Sequence, residues 1–292
     1  MTGLNIRLER FKPILSCPSC CGALDFKNSS AACRDCSAIY PIRNGRIYFV
    51  KVSEHTDELD KIKGRLKKWL GKYYYTIGRN ILAPTYPFNY IRWIRRYLNP
   101  DTQIVVDVGC GNHRIDDRII CLDFFDYDPV DIVCDLSALP FKPNSVDAFV
   151  SRSVLEHVPD PARIVGHFHR CTKVGGLGLH LIPFLFPFHA SPSDFQRYTH
   201  KGLEQLFKEW EIVEQTNATG PITLGLLCII ELLSIIFSLG QAQVKGVIYL
   251  LLCGILFPLK YLDALFVNRK TFLTLAPSIF TVVRKHAQGP IS

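Results

Sequence analysis

The pattern of apolar and polar residues in the middle of the chain predicts a buried strand that ends in a sharp turn. Apolar residues from Ile104 lead through Asp107 into Gly109, Cys110 and Gly111. Glycine turns without a Cβ clash and lets a ligand approach the backbone closely, so this stretch predicts a ligand-binding turn at a strand end. An ordinary strand-to-loop turn carries the same glycines, so the interpretation depends on the elements that follow.

Further apolar runs predict the remaining strands of an α/β sheet. Strands are expected at 118–122, 130–134, 146–151, 177–183, 211–216 and 278–283, with helices at 161–171 and 200–210 and a KVGG turn before the fifth strand. Asp123 ends the second strand, where α/β nucleotide folds bind a ribose diol. Asp135 and Leu136 follow the third strand.

Two long apolar runs, 222–239 and 246–259, lie before the last predicted strand and are separated by GQAQVK. Each approaches the roughly 20 residues that span a bilayer, so they predict a helical hairpin in a membrane. Both ends return to one sheet, so the hairpin either crosses twice or dips into the bilayer. Glu231 is expected to be protonated, paired or turned towards protein. The alternative is a soluble apolar lid or dimer contact.

The ordered motifs DVGCGN, D-L-S-A-L-P-F and LEHV, with the GG of the KVGG turn, resemble the class I S-adenosylmethionine-dependent methyltransferases. The resemblance implies a seven-stranded Rossmann-like sheet. It also implies that Asp107, Gly109 and Gly111 hold the methionine end of the cofactor, that Asp123 holds the ribose, and that Asp135 and Leu136 lie near the adenine. Two departures stand out: His113 replaces the third glycine, and only residues 112–117 remain for the first crossover, which usually needs a dozen or more.

Two C-x-x-C knuckles near the N-terminus predict a metal site. Cys17, Cys20, Cys33 and Cys36 can wrap four thiolates around one zinc ion, and a closed site of this kind holds structure and does no chemistry. A redox dithiol and a site without metal are the alternatives. The stretch 14–48 resembles the small zinc-ribbon protein that activates several methyltransferases, here fused to the enzyme.

Residues 61–96 contain ten basic residues, no acidic residue and many interleaved aromatics, in a chain of net charge +8. This mixture suits RNA, a membrane interface with acidic lipid, or a solvated linker helix. The eleven cysteines lie mostly in apolar elements and the N-terminus is polar, so a reducing cytoplasm is expected.

The segment 183–199, PFLFPFHASPSDFQRYT, is expected to form the acceptor side of the pocket and resembles a variant found in a subset of these enzymes. His189, Asp194 and Arg197 are the candidate catalytic residues, because polar groups among aromatics can position or deprotonate an acceptor hydroxyl. Asp194 and Arg197 could equally pair and anchor the loop. His157 of LEHV is interpreted as a structural histidine beneath the cofactor.

The expected organisation is a zinc ribbon at 1–52, basic and aromatic linker helices at 53–100, a methyltransferase domain at 101–220 and 276–286, and a hydrophobic hairpin at 221–275. We expect methyl transfer to an oxygen of a small-molecule, glycan or lipid-linked acceptor at the cytoplasmic face of a membrane. SRSV stands where amino-group methyltransferases often carry N/D-P-P-Y, which disfavours amine methylation. The alternatives are an RNA methyltransferase and a membrane-tethered binding module or pseudoenzyme.

Overall fold

The computed structural model describes residues 9–51, 71–73, 77–188 and 193–286, and their strands form one mixed sheet. The strands are β1 Leu24–Phe26, β2 Ser30–Cys33, β3 Ile39–Arg43, β4 Arg46–Tyr48, β5 Val105–Val108, β6 Ile120–Asp123, β7 Ile132–Val133, β8 Val146–Arg152, β9 Thr172–Pro183, β10 Glu211–Asn217 and β11 Ser278–Arg284. The α-helices used below are α1 Tyr90–Tyr97, α2 Pro161–Cys171, α3 His200–Leu206, α4 Pro221–Ser238 and α5 Ala242–Leu256.

The central seven strands have the order β7-β6-β5-β8-β9-β11-β10. Neighbours from β7 to β9 are parallel, and β11 is antiparallel to both β9 and β10. This confirms the predicted seven-stranded sheet, in which the hairpin of α4 and α5 precedes the last strand. The chain runs outward in opposite directions from β5 and β8, and open α/β sheets bind ligands at the carboxyl ends of the strands beside such a switch point.

Each face of the sheet packs against a different set of elements because successive strand residues point to opposite sides. Val106 and Val108 of β5 lie in the apolar cluster that contains Phe168 of α2. Val105 lies in the second cluster, with Trp93 of α1. The glycine turn after β5 is therefore supported from both faces.

The crossover from β5 to β6 contains no helix, as the short spacing predicted. Ile115 and Ile119 fill part of the space on that face beside α1. Arg114 ties the loop down by donating to the Ile119 carbonyl at 2.8 Å and to Asp131 Oδ1 at 2.8 Å. Both side chains of this ion pair are largely buried, so the pair replaces part of the packing that a helix would supply.

The aromatic residues of 86–97 belong to the core of the sheet. The Trp93 ring centroid lies 4.8 Å from that of Phe280, and the Phe88 centroid lies 5.6 Å from the same ring. The Tyr90 hydroxyl donates to the carbonyls of Ser151 and Leu179 at 3.2 and 3.1 Å. These three rings are thus packed against the sheet, and the part of the basic segment at 61–70 lies outside the described residues.

The cysteine-rich segment extends the same sheet. β1, β2, β3 and β4 form an antiparallel ribbon, and β4 then pairs in parallel with β7. The turn between β3 and β4 is Asn44-Gly45, both at positive φ, as a tight two-residue hairpin requires. The guanidinium of Arg46 pairs with Asp126 at 2.7 Å, and the Tyr48 hydroxyl donates to the same carboxylate at 3.0 Å.

α4 and α5 form the predicted hairpin, and both are long and apolar enough to cross a membrane by length and composition, with α5 counted together with the 3-10 helix Phe257–Leu265. Glu231 of α4 pairs with Lys245 of α5 at 2.5 Å, so it is paired, one of the three expected arrangements. Asp263 of the 3-10 helix caps α4 by accepting from the backbone of Ile222 at 3.0 Å and of Thr223 at 2.8 Å.

Some element boundaries differ from the prediction. The KVGG segment lies inside β9, which begins at Thr172, because Gly175 at φ +76° lets the strand continue past an irregular register with β8. α3 begins after its Thr199 cap as predicted but ends at Leu206. The residues after it make turns that bury Phe207 and Trp210.

Candidate functional site

The glycine turn after β5 has the conformation that the sequence predicted. Gly109 has φ +64° and Gly111 has φ +58°, a region that side chains rarely adopt. A Cβ on Gly109 would meet Val154 Cγ2 at 2.5 Å, so this position needs glycine to pack. A Cβ on Gly111 would meet nothing within 4 Å, because it would project into open space where a ligand could lie.

A cavity of about 350 Å³ opens at this turn. It is lined by Gly109, Gly111, Asp123, Phe124, Phe125, Tyr127, Asp135, Leu136, Ser153, Val154, His157 and Val158. The structure thus brings together five of the six residues that the family resemblance implied for the cofactor. The sixth, Asp107, lies buried at the end of β5.

Asp123 connects the end of β6 to the glycine turn. Its Oδ2 accepts from the Gly111 backbone N–H at 2.8 Å and its Oδ1 accepts from the Phe125 N–H at 3.1 Å. The carboxylate therefore fixes the turn and the start of the next loop. Because each carboxylate oxygen has two lone pairs, the same group can also accept from a ribose diol.

Asp107 is fully buried, and burial raises its pKa to about 6 although Arg152 acts in the opposite direction. Its Oδ2 lies 3.4 Å from Arg152 Nη2, whereas its Oδ1 has no hydrogen-bond partner among the described residues. A buried carboxylate oxygen without a partner is costly in a closed protein. It fits a site that receives the amino group of a ligand.

The aromatic residues Phe124, Phe125 and Tyr127 line the cavity and were missed by sequence reasoning. They follow Asp123 directly, in the run DFFDYDP, and this position after the second strand is the signal that could have found them. Tyr127 and Leu136 give the cavity an apolar wall, which suits a flat base. Asp135 accepts from Ser137 N at 2.8 Å and caps a short 3-10 helix at the cavity rim.

The LEHV segment lines the cavity through His157 and Val158 and holds residues 193–196 in place. His157 Nδ1 hydrogen bonds the Ser193 carbonyl, and the Glu156 carbonyl accepts from Phe195 N at 2.9 Å. Gln196 donates to the Val158 carbonyl at 2.7 Å. The His157 side chain lines the cavity, and its hydrogen bond to the Ser193 carbonyl positions the neighbouring loop. This is in line with the interpretation of His157 as a structural histidine.

Asp194 and Arg197 are brought together as a bidentate pair, with Arg197 Nη2 2.5 Å from Asp194 Oδ2. Arg197 also donates to the backbone carbonyls of Phe186 at 3.2 Å and Pro187 at 3.1 Å. This geometry matches the loop-anchoring alternative, and a direct role in acceptor handling stays a prediction. His189 lies outside the described residues.

A second cavity of about 380 Å³ adjoins the first, and the two share Ser153. It is lined by Thr85, Tyr86, Pro87, Phe88, Asn89, Tyr90, Ile91, His113, Ile115, Arg152, Ser153, Leu181, Phe186, Ala218, Thr219 and Ser278. Arg152 places a positive charge there, with its guanidinium 5.4 Å from the Tyr90 ring. His113, the residue that departs from the family turn, lies in this cavity and not in the first.

The four predicted metal ligands converge at the ribbon end of the sheet. The Sγ atoms of Cys17, Cys20, Cys33 and Cys36 all lie within 4.8 Å of one another. Tetrahedral thiolates around zinc, at about 2.3 Å from the metal, are roughly 3.8 Å apart, so the donor set and its spacing fit zinc. Tyr40 supports the cluster through its hydroxyl, 3.1 Å from Cys17 Sγ.

Comparison with known proteins gives one family match, at residues 117–179, to a model described as a methyltransferase domain. No match was found among curated proteins. Among solved structures, the chain is similar to the Haemonchus contortus phosphoethanolamine N-methyltransferase 2 in complex with S-adenosyl-L-methionine (17% identity, 82% of this chain, 61% of that chain, TM-score 0.49).

Two further solved structures show a similar extent of likeness. One is a chain of the complex between the Haloferax volcanii Trm112 methyltransferase activator and a methyltransferase (16% identity, 80% of this chain, 97% of that chain, TM-score 0.43). The other is the Streptomyces coelicolor geranyl diphosphate C-methyltransferase (12% identity, 67% of this chain, 77% of that chain, TM-score 0.41).

Proposed function

We propose that this chain, which contains a class I S-adenosylmethionine-dependent methyltransferase domain, methylates an oxygen of a small-molecule, glycan or lipid-linked acceptor at a membrane surface. The observation that carries the proposal is the pair of cavities that meet at Ser153. The first has the residues for the cofactor, and the second has room and polar groups for an acceptor.

The residues of the first cavity divide the work of cofactor binding. Gly111 leaves space for the ligand and Asp123 offers acceptors for the ribose diol. Asp107 is buried at the end of β5, two residues before Gly109, and is assigned to the amino-acid end because its Oδ1 has no hydrogen-bond partner among the described residues. Asp135 and Leu136 lie at the adenine side in this assignment. When bound, the cofactor supplies a methyl group on a sulfonium, so the protein needs chiefly to align an acceptor and remove a proton.

The second cavity supplies groups that can do both. Arg152 gives a fixed positive charge, which suits an acceptor that carries a phosphate or carboxylate near the reacting hydroxyl. His113 offers an imidazole, a group suited to accept the hydroxyl proton near neutral pH. In the transfer, the acceptor oxygen forms a bond to the methyl carbon as the carbon–sulfur bond breaks, and the proton leaves to the base.

The pair of Asp194 and Arg197 contributes by position. Arg197 holds the backbone of Phe186, and Phe186 lines the second cavity. We therefore assign these two residues to shaping the acceptor wall. His189 stays a candidate base in the same segment.

The membrane location is supported by contacts between the second cavity and the hairpin. Tyr86 N, in the cavity wall, donates to Thr223 Oγ1 of α4 at 3.0 Å. Lys260 Nζ donates to the Ala83 carbonyl just before that wall, at 2.5 Å. An acceptor in the bilayer could therefore enter the cavity beside the base of the hairpin.

The test is transfer of an isotopically labelled methyl group from S-adenosylmethionine to a total membrane extract by purified protein. Label is expected in the lipid or glycan fraction with wild type and is expected to be absent with Asp123→Ala, which removes the ribose ligand. The His113→Ala variant should lower transfer while leaving the Kd for the cofactor unchanged. Label found only in RNA or protein, or no transfer with any fraction, would overturn the proposal.

A further inference from the structure

We propose that the hairpin of α4 and α5 enters one leaflet of a bilayer only, with the 3-10 helix Phe257–Leu265 lying along the membrane surface. The inference rests on the membrane location proposed above and specifies the depth of insertion. It also names the surface that meets the lipid.

The 3-10 helix has the reverse of the polarity expected in water. Leu259, Leu262 and Leu265 are exposed to 45%, 49% and 62%, whereas Lys260 and Asp263 are fully buried. With about three residues per turn, the three leucines share one side of the helix. Apolar side chains outward and charged side chains inward are typical of a surface that faces hydrocarbon.

The buried charges fix which side of this helix faces out. Asp263 accepts from the backbone N–H groups of Gly220, Ile222 and Thr223, at the N-terminus of α4, where a negative charge is favourable. Lys260 donates to the Ala83 carbonyl on the protein side. The leucine side is therefore held away from the sheet.

The length of the protruding part of α4 fits one leaflet. Leu226 and Ile230 in the first half pack against Cys253 of α5, and the large exposed apolar residues begin at Ile229. From Ile229 to Ser238 the helix rises about 14 Å, roughly half of the 30 Å hydrocarbon thickness. Leu239 at the tip is 87% exposed, and residues 239–243 carry no charge.

The one ion pair within the hairpin also fits shallow insertion. Glu231 lies near the start of the protruding part of α4. Lys245 lies in the first turn of α5 and so closer to the tip of the hairpin. The Lys245 ammonium reaches back to Glu231, 2.5 Å away, in the direction of the membrane surface. A hairpin that crossed the whole bilayer would carry this pair into the hydrocarbon centre.

Positive charge stands at the base, where acidic headgroups would lie. Arg269 and Lys270 are exposed and follow the 3-10 helix directly. Arg269 N donates to Asn217 Oδ1 at 2.8 Å, which keeps these residues beside the strand that leads into α4. The apolar tip, the leucine surface of the 3-10 helix and the positive charge beside the sheet together match a bilayer that contains acidic lipid.

The test is residue-specific labelling of the full chain reconstituted into vesicles of phosphatidylcholine and phosphatidylglycerol. A Gln241→Cys variant probes the tip and a Lys270→Cys variant, the matched control, probes the base. A membrane-impermeant maleimide is added outside or trapped inside, and labelled peptides are identified by mass spectrometry. Vesicle flotation reports membrane binding, and labelling after denaturation shows that the tip thiol is present.

One-leaflet insertion predicts that the protein floats with the vesicles. It also predicts that the thiol of Lys270→Cys reacts from one side of the membrane and that the thiol of Gln241→Cys reacts from neither side. Reaction of the tip from the side opposite the base would overturn the inference while the membrane location stands. Reaction of both thiols in protein that does not float, as a soluble lid or a dimer contact would give, would overturn the inference and the membrane location together.

Discussion

The buried pair of Arg114 and Asp131 is predicted to hold β5, β6 and β7 together in place of a crossover helix. Arg114→Met removes the donor to Asp131 Oδ1, at 2.8 Å, and to the carbonyls of Ile119 and Pro129. The Asp131 side chain is 4% exposed and keeps only the Cys121 N–H as a hydrogen-bond donor among those described.

Breaking a buried pair by removing one partner costs about 3–5 kcal/mol. At roughly 2–4 °C per kcal/mol for a protein of this size, the Tm should fall by about 10 °C. Thermal unfolding in detergent, followed by circular dichroism, measures this change. The Arg118→Met variant is the matched control, because Arg118 lies in the same crossover but its side chain is 38% exposed. It pairs with the exposed Asp101 and the largely buried Asp116, and solvent screens these pairs more than the Arg114 pair, so their loss should cost less.

A double-mutant cycle isolates the pair itself. Asp131→Asn keeps an acceptor for Cys121 N and removes the charge, so Arg114→Met combined with Asp131→Asn should cost less than the sum of the two single changes. We expect a coupling free energy of about 1–3 kcal/mol. Strictly additive effects, or a Tm for Arg114→Met as high as that of the control, would show that the pair does not hold the crossover in place.

Three further predictions concern Asp107, the metal and the membrane. Burial raises the pKa of Asp107 to about 6 from an ordinary value of 3.8, so between these values the folded state binds more protons than the unfolded state, and stability is lost as pH rises through that window. The free energy of unfolding of Asp107→Asn should therefore rise relative to that of wild type by up to about 3 kcal/mol from pH 4 to pH 7. Denaturant unfolding measures this, and a difference that does not change with pH would contradict it. Elemental analysis of undenatured protein should find about one zinc per chain, and a value well below one would rule out the zinc ribbon. Replacing both Ile236 and Leu251, which are exposed on the hairpin, by lysine in one double variant should move the protein from the membrane to the soluble fraction. The Ile39→Lys variant, with its change at an exposed residue of the ribbon, should stay with the membrane. Equal fractionation of wild type, the double variant and Ile39→Lys would contradict the membrane location.

The strands and the glycine turn could be predicted because their signals are local. The run into Asp107 is apolar and ends in glycines, and the acids Asp123 and Asp135 stand at the end of β6 and two residues after β7. The four cysteines were equally clear, because the C-x-x-C spacing itself sets the geometry of the knuckle. These features need no knowledge of distant contacts.

Other features could not be read in advance because they depend on residues far apart in sequence. Arg114 pairs with Asp131 only once the abbreviated crossover is folded, and Tyr86 meets Thr223 across 137 positions. The aromatics near α1 looked available for ligands, but tertiary packing places Trp93 against Phe280. The inward charges of the 3-10 helix emerge only from the fold, since Lys260 and Asp263 interrupt the apolar pattern in the sequence.

Isothermal titration measures whether the cavity beside β5 and β6 binds S-adenosylmethionine. Wild type is expected to bind one cofactor per chain. Asp123→Ala should weaken binding by about tenfold or more, a loss of roughly 1.4 kcal/mol or greater. Asp128→Ala, at an almost fully exposed side chain on the same loop, should bind as wild type does. No heat of binding with wild type, or an unchanged Kd for Asp123→Ala, would show that this cavity does not bind the cofactor through Asp123.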